Sequence, residues 1–176
     1  MKPITDFQDL PSAEQLYADL RTAVQAALRP QTVLLGIYSG GAWIAQRLAA
    51  DLQLEGRVGF ISSSMYRDDF AKRGLAQSLP TDIPFDINDA RVILIDDVLH
   101  TGRTIRAVLN ELFDYGRPAQ VQLMVLVDRG DRQLPFAADF VAAQADLTPK
   151  TSLNLSKNEA GQLQFALKQK EASHAE

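Results

Sequence analysis

The chain has 176 residues, a formal net charge of -4, 46% hydrophobic and 23% charged side chains, and no cysteine. This balance fits one soluble domain with a real core, excludes disulfide and thiolate metal sites, and weighs against a generic nucleic-acid binder, which is usually basic. No apolar run approaches the ~18 residues of a membrane helix. The first residues, MKPITDFQDLPSAEQ, lack the apolar stretch of a signal peptide. The expected location is the cytoplasm, without membrane association. The expected organisation is one domain over residues 1–168 and a disordered tail over 169–176.

In chain order, residues 12–28 predict a helix. Leu16, Leu20, Val24, Ala27 and Leu28 fall near one face, Ser12 and Gln15 resemble a capping box, and Pro30 follows. TVLLGIY (32–38) is a short apolar run, expected as a buried strand. Ser39, Gly40 and Gly41 lead into a helix at AWIAQRLAADL, in which Trp43 is expected to pack in the core. RVGFISSS is the next strand. Residues 65–90 are polar and weakly periodic, which predicts a long excursion with room for a short hairpin. RVILI (91–95) is a strand, and Arg103 to Tyr115 a helix stopped by Gly116 and Pro118. QVQLMVLV and ADFVAA are strands. SLNLSKNEAGQLQFAL alternates apolar and polar residues on both sides of Gly161, as an antiparallel hairpin does.

Strands alternating with helices predict an α/β fold with a mostly parallel sheet covered on both faces. Ligands in such sheets sit beyond the carboxyl ends of the strands. Three of those ends are chemically loaded here: Tyr38 to Gly41, Asp96-Asp97 with the loop that follows, and Asp128-Arg129-Gly130.

The stretch VILIDDVLHTGRTIRA (92–107) carries the sharpest signal. Free N–H groups at a helix start, the hydroxyls of Thr101 and Thr104, the close approach allowed by Gly102 and the charge of Arg103 make a phosphate cradle. The two carboxylates before it are poor phosphate neighbours but good acceptors for a sugar diol. Together they suit a ribose 5-phosphate. Other motifs fail. There is no lysine-ended phosphate loop and no dinucleotide glycine spacing. GIYSGG has Ile37 where a hydrolase nucleophile elbow needs glycine. A serine triad would have to use His100, since the only other histidine is His174. Metal-assisted hydrolysis by Asp96 and Asp97 would lack the histidines that usually assist it.

This segment resembles the signature of the type I phosphoribosyltransferases. MYRDDF, TDIPFDI, DYGRP and VLVDRGDRQLPFAADFV follow in order. The set is similar to the bifunctional pyrimidine-operon regulatory protein/uracil phosphoribosyltransferases, over roughly Leu34 to Val141. The resemblance implies that fold, with the tail hairpin as a hood. It implies conversion of phosphoribosyl pyrophosphate (PRPP) and uracil to UMP and pyrophosphate, with Mg2+ carried by PRPP rather than by a protein-only metal site, and a dimer or larger oligomer. Asp96 and Asp97 would hold the ribose hydroxyls, and Val98, Leu99, His100, Thr101, Gly102, Arg103 and Thr104 would wrap the 5-phosphate. Ser39 and Gly40 would approach the pyrophosphate. Val127, Asp128 and Arg129 would border the uracil, with Asp96, Asp97 and Arg129 as the catalytic set. Arg67 would sit in a mobile loop.

Two departures stand out. The family's turn is usually Thr-Arg-Gly where this chain has Ser39-Gly40-Gly41, so a cation is missing beside the leaving group. The first helix has Arg21 as its one basic residue before Arg29, opposed by Glu14 and Asp19. Weak RNA binding is therefore expected. An enzyme, a UMP- or PRPP-sensing regulator acting on RNA, and a transferase for another base all remain open at this point.

Overall fold

The computed structural model describes residues 3–63, 79–148 and 151–169. The first long helix, α1 (Ala13–Ala27), opens on the expected capping box: Ser12 Oγ accepts from Gln15 N–H at 3.3 Å and Gln15 Oε1 accepts from Ser12 N–H at 3.0 Å. Its apolar spacing buries Ala13, Leu16, Tyr17, Leu20 and Val24 along one face.

That face packs on a five-stranded parallel sheet of β1 (Thr32–Ile37), β2 (Val58–Ile61), β3 (Arg91–Leu99), β4 (Gln120–Asp128) and β5 (Phe140–Gln144). The strand order is β2-β1-β3-β4-β5. Helices α2 (Gly40–Asp51) and α3 (Arg103–Tyr115) are the crossovers. Alternation on the strands feeds two apolar layers. Leu34, Ile93 and Ile95 join α1 and α2, while Leu35, Val92 and Leu94 join Ile105, Val108 and Leu112 of α3. Each sheet edge carries one isolated bridge: Asp82 pairs with Phe60 outside β2, and Ile4 with Ala145 beyond β5.

The tail forms the expected hairpin, β6 (Thr151–Lys157) with antiparallel β7 (Leu163–Gln169), and Gly161 takes φ +76° in the turn. Leu153, Leu155 and Leu163 bury its inner face. A polar latch fixes the hairpin to α1 and α2. Glu14 Oε1 accepts from Leu163 N–H and from Arg47 Nη1, each at 2.8 Å, and the Arg47 guanidinium lies 4.1 Å from the Tyr17 ring centre. Trp43 is half-buried against this core with Lys157 Nζ 5.4 Å from its ring.

The Arg47 hydrogen bond, opposed by partial burial and helped by Leu163 N–H, holds the Glu14 carboxyl below its ordinary range. A lowered carboxyl stabilises the fold above its unfolded-state pKa, and that contribution disappears as pH falls through the folded-state value. Glu14→Gln should therefore melt roughly 2–4 °C below wild type at pH 7, for ~1 kcal/mol lost. The gap should close in acid, because wild type loses the same interaction there. Melting curves of both proteins across pH are the check, and a gap that stays constant into acid refutes the assignment.

Four boundaries differ from expectation. Strand β3 does not stop at Ile95 but runs through both aspartates to Leu99, because β4 continues beside it, with Asp96 opposite Val125 and Leu99 opposite Asp128. Helix α2 starts at Gly40, so the glycines are its first turn rather than a loop before it. Strand β2 covers only Val58–Ile61. Residues 79–90 contribute the Asp82 bridge and Ile87 to the core, but no strand. Residues 64–78, with Arg67, and the tail beyond Gln169 lie outside the described residues.

Candidate active site

The carboxyl ends of β1, β3 and β4 and the start of β6 enclose a cavity of about 470 Å³. Eleven of the residues expected at the site line it together: Ser39, Gly40, Asp96, Asp97, Val98, Leu99, His100, Thr101, Gly102, Thr104 and Arg129. Arg129 comes from just beyond β4, Tyr38 from the loaded end of β1, and Ile105, Ser152, Leu153 and Asn154 are additions that the motifs did not mark. The last three come from the hood, whose register over the site no local pattern reveals.

Successive residues of a strand project to opposite faces, so Asp96 and Asp97 diverge. Asp96 is buried and its Oδ1 accepts from Asp97 N–H at 3.0 Å. Asp97 reaches the first turn of α2. A Cβ on Gly40 would lie 2.5 Å from its Cγ, and one on Gly41 only 2.2 Å from the Ile95 carbonyl oxygen. Neither glycine has positive φ. They are required by close approach, not by turn geometry. The Tyr38–Ser39 peptide is cis. Burial, with Asp82 nearby, raises the Tyr38 phenol above its usual pKa.

The contact at Gly40 revises the simplest repair of the missing cation. A Gly40→Arg side chain must leave the backbone through the space that Asp97 occupies. PRPP affinity should therefore fall in this variant, as the Asp97 carboxylate is displaced, rather than rise. Titration of wild type and variant with PRPP decides it.

The loop His100–Gly102 enters α3 through Gly102, at φ +88°. Arg103 Nε donates to Gln133 Oε1 at 2.8 Å, and Arg103 does not line the cavity. Val127 is wholly buried in the core, and Asp128 lines a neighbouring cavity instead. Arg129 is also buried. Its guanidinium donates to the carbonyls of Thr151 at 2.8 Å, Thr148 at 3.2 Å and Leu147 at 3.3 Å, and Nε has no partner among the described residues. Burial lowers its pKa. Arg129 thus ties the end of β4 to the entry of the hood while still lining the cavity.

Two carboxylates, a hydroxyl-rich helix start and the first turn of a second helix therefore converge on one space. Residues 8–147 match the family described as Phosphoribosyl transferase domain. The chain belongs to the phosphoribosyltransferase family. A protein of Ralstonia nicotianae named Bifunctional protein PyrR is 51% identical over 149 residues, covering 84% of this chain and 85% of that protein. One of the same name from Nitrosococcus oceani is 40% identical over 161 residues, covering 88% and 90%. The crystal structure of the hypoxanthine phosphoribosyltransferase of Trypanosoma cruzi superposes with TM-score 0.61 at 21% identity, covering 97% of this chain and 98% of that one. At that identity the likeness speaks to the phosphoribosyltransferase fold alone. The chain carries its aspartate pair near the end of β3 and its threonine-glycine loop just beyond. Among the described residues, no helix is long and apolar enough to cross a membrane.

Proposed function

We propose that this chain is a uracil phosphoribosyltransferase, making UMP and pyrophosphate from uracil and PRPP. The observation that carries the proposal is the cavity itself, where diol acceptors stand beside a phosphate cradle. The ribose hydroxyls would bond Asp96 and Asp97, and the 5-phosphate would sit at the Thr101–Thr104 helix start. Pyrophosphate would lie by Ser39 and Gly40, with uracil between the end of β4 and the hood. The order of motifs, VLVDRGDRQLPFAADFV above all, supports uracil as the base.

The donor set fits Mg2+ brought by the substrate. Carboxylate oxygens of Asp97, directly or through water, suit a hard octahedral cation. When bound, Mg2+ supplies charge neutralisation for the pyrophosphate. The chain's own contribution is to hold the ribose and the base in line and to place N–H dipoles near the developing negative charge. The discriminating experiment is pyrophosphate release from PRPP and Mg2+ with each nucleobase in turn. Release with uracil alone supports the proposal, release with another base reassigns the substrate, and release with none removes the enzyme reading.

One observation favours a second reading, a nucleotide-sensing regulator. The carboxylates and guanidinium among the described lining of the cavity are those of Asp96, Asp97 and Arg129, and Arg129 is committed to hood carbonyls. That lining suits a ribose monophosphate better than a free pyrophosphate group. Such a regulator would need a basic surface for RNA, and on α1 and α2 Arg21 is 3.8 Å from Asp51 and Arg47 is paired with Glu14. Weak RNA binding is therefore expected. A gel-shift titration with the leader RNA of the pyrimidine genes, with and without UMP, tests it. Submicromolar binding strengthened by UMP would favour the regulator.

A further inference from the structure

The loop that would hold the phosphate has a backbone orientation imposed from outside it. His100 O accepts from Arg132 Nη1, and Thr101 O accepts from the N–H groups of Gln133 at 3.0 Å and Leu134 at 3.1 Å. In a planar trans peptide the carbonyl of one residue and the N–H of the next point in opposite directions. Turning these two carbonyls toward residues 132–134 therefore turns the N–H groups of Thr101 and Gly102 the other way. Both residues line the cavity, and neither N–H has a hydrogen-bond partner among the described residues. Two adjacent N–H groups facing one space form an anion nest.

Arg132 is the centre of the brace. Besides His100 O, its guanidinium donates to Asp128 Oδ2 at 2.6 Å, Phe136 O at 2.9 Å and Gly130 O at 3.0 Å. Asp128 in turn accepts from Gly130 N–H at 2.7 Å. One planar cation thus reaches the loop after β3, the end of β4 and the turn beyond it. Arg132 itself is absent from the cavity lining.

We propose that Arg132 is a positioning residue for phosphate recognition: by holding the His100 carbonyl it aims the Thr101 N–H at the 5-phosphate of the substrate, beside the Gly102 N–H that the Gln133 and Leu134 amides orient. The proposal rests on the reading of this loop as the phosphate site. Lysine keeps the charge opposite Asp128 but has no fork with which to reach four oxygens. Arg132→Lys is therefore the variant, with ribose 5-phosphate, UMP and uridine as ligands in calorimetric titrations. Affinity for ribose 5-phosphate and UMP should fall roughly tenfold, the size of one charge-assisted contact, while uridine binding stays as in wild type. An equal loss for uridine makes Arg132 a general support of the fold and overturns the proposal, as does an unchanged affinity for both phosphates. A wild type that binds none of the phosphates removes the phosphate-site reading as well. Should the lysine variant not fold, amide NMR of the wild type decides: ribose 5-phosphate must shift the Thr101 and Gly102 N–H resonances, and an absence of shift refutes the proposal.

Discussion

The paired substitution Asp96→Asn with Asp97→Asn is expected to lower kcat/KM for PRPP by roughly a hundred- to ten-thousand-fold. Each carboxylate-to-hydroxyl bond is charge-assisted and worth ~1.5–3 kcal/mol, and two such losses give that range. Asp97→Asn alone should account for about ten- to a hundred-fold of it. The two sites are adjacent and share the Asp96 Oδ1 bond to Asp97 N–H, so their effects need not add. The amide keeps an acceptor for that N–H, so folding should survive. Steady-state kinetics beside a melting curve make the measurement. Wild-type turnover in a folded double variant would sink the ribose assignment.

A second large effect is expected from one methyl group. Gly41→Ala places a Cβ 2.2 Å from the Ile95 carbonyl oxygen and 3.0 Å from Asp96 Cα. Both are main-chain atoms inside a parallel sheet, so neither moves aside as a flexible side chain would. Overpacking of this kind costs ~3 kcal/mol, which for a chain of this size is roughly 6–12 °C in melting temperature. The relief available is a shift of α2 away from β3, which also moves Ser39 and Gly40 from the Asp97 carboxylate. PRPP affinity should fall with stability. Gly56→Ala is the control: it has φ +77° with nothing within 4 Å of the added atom, so it bears backbone strain without the clash. Equal melting points for the two variants would show that close packing of α2 on β3 is not what Gly41 provides.

Much of this was legible in the residues, for local reasons. The Ser12–Gln15 box, the helix from Arg103 to Tyr115 and the hairpin around Gly161 each depend on neighbours a few positions away. So does the Thr101–Thr104 entry into α3. What could not be read depends on distant partners. Strand β3 passes through Asp96 and Asp97 because β4 supplies the ladder, and no apolar pattern marks that extension. Arg129 finds its acceptors 18 to 22 positions away in the hood entry. The glycines at 40 and 41 read as a turn, while their necessity comes from β3, more than fifty residues later. Arg132 left one local trace, its four-residue spacing from Asp128, which nothing in the motif singled out as a brace.

The single bridges at the sheet edges also bear on how this protein is handled. Ile4 donates its N–H to Gln144 O and accepts from Asp146 N–H, both at 2.8 Å, so this residue caps the outer margin of the sheet at the end of β5. An uncovered strand margin is a template for another chain. A version trimmed past Ile4 would expose that margin beside the cavity lined by Asp128 and Asp146, and should self-associate while its ligand chemistry stays intact. A purification tag joined tightly to Ile4 carries the same hazard, whereas one attached beyond Gln169 leaves the β5 margin covered.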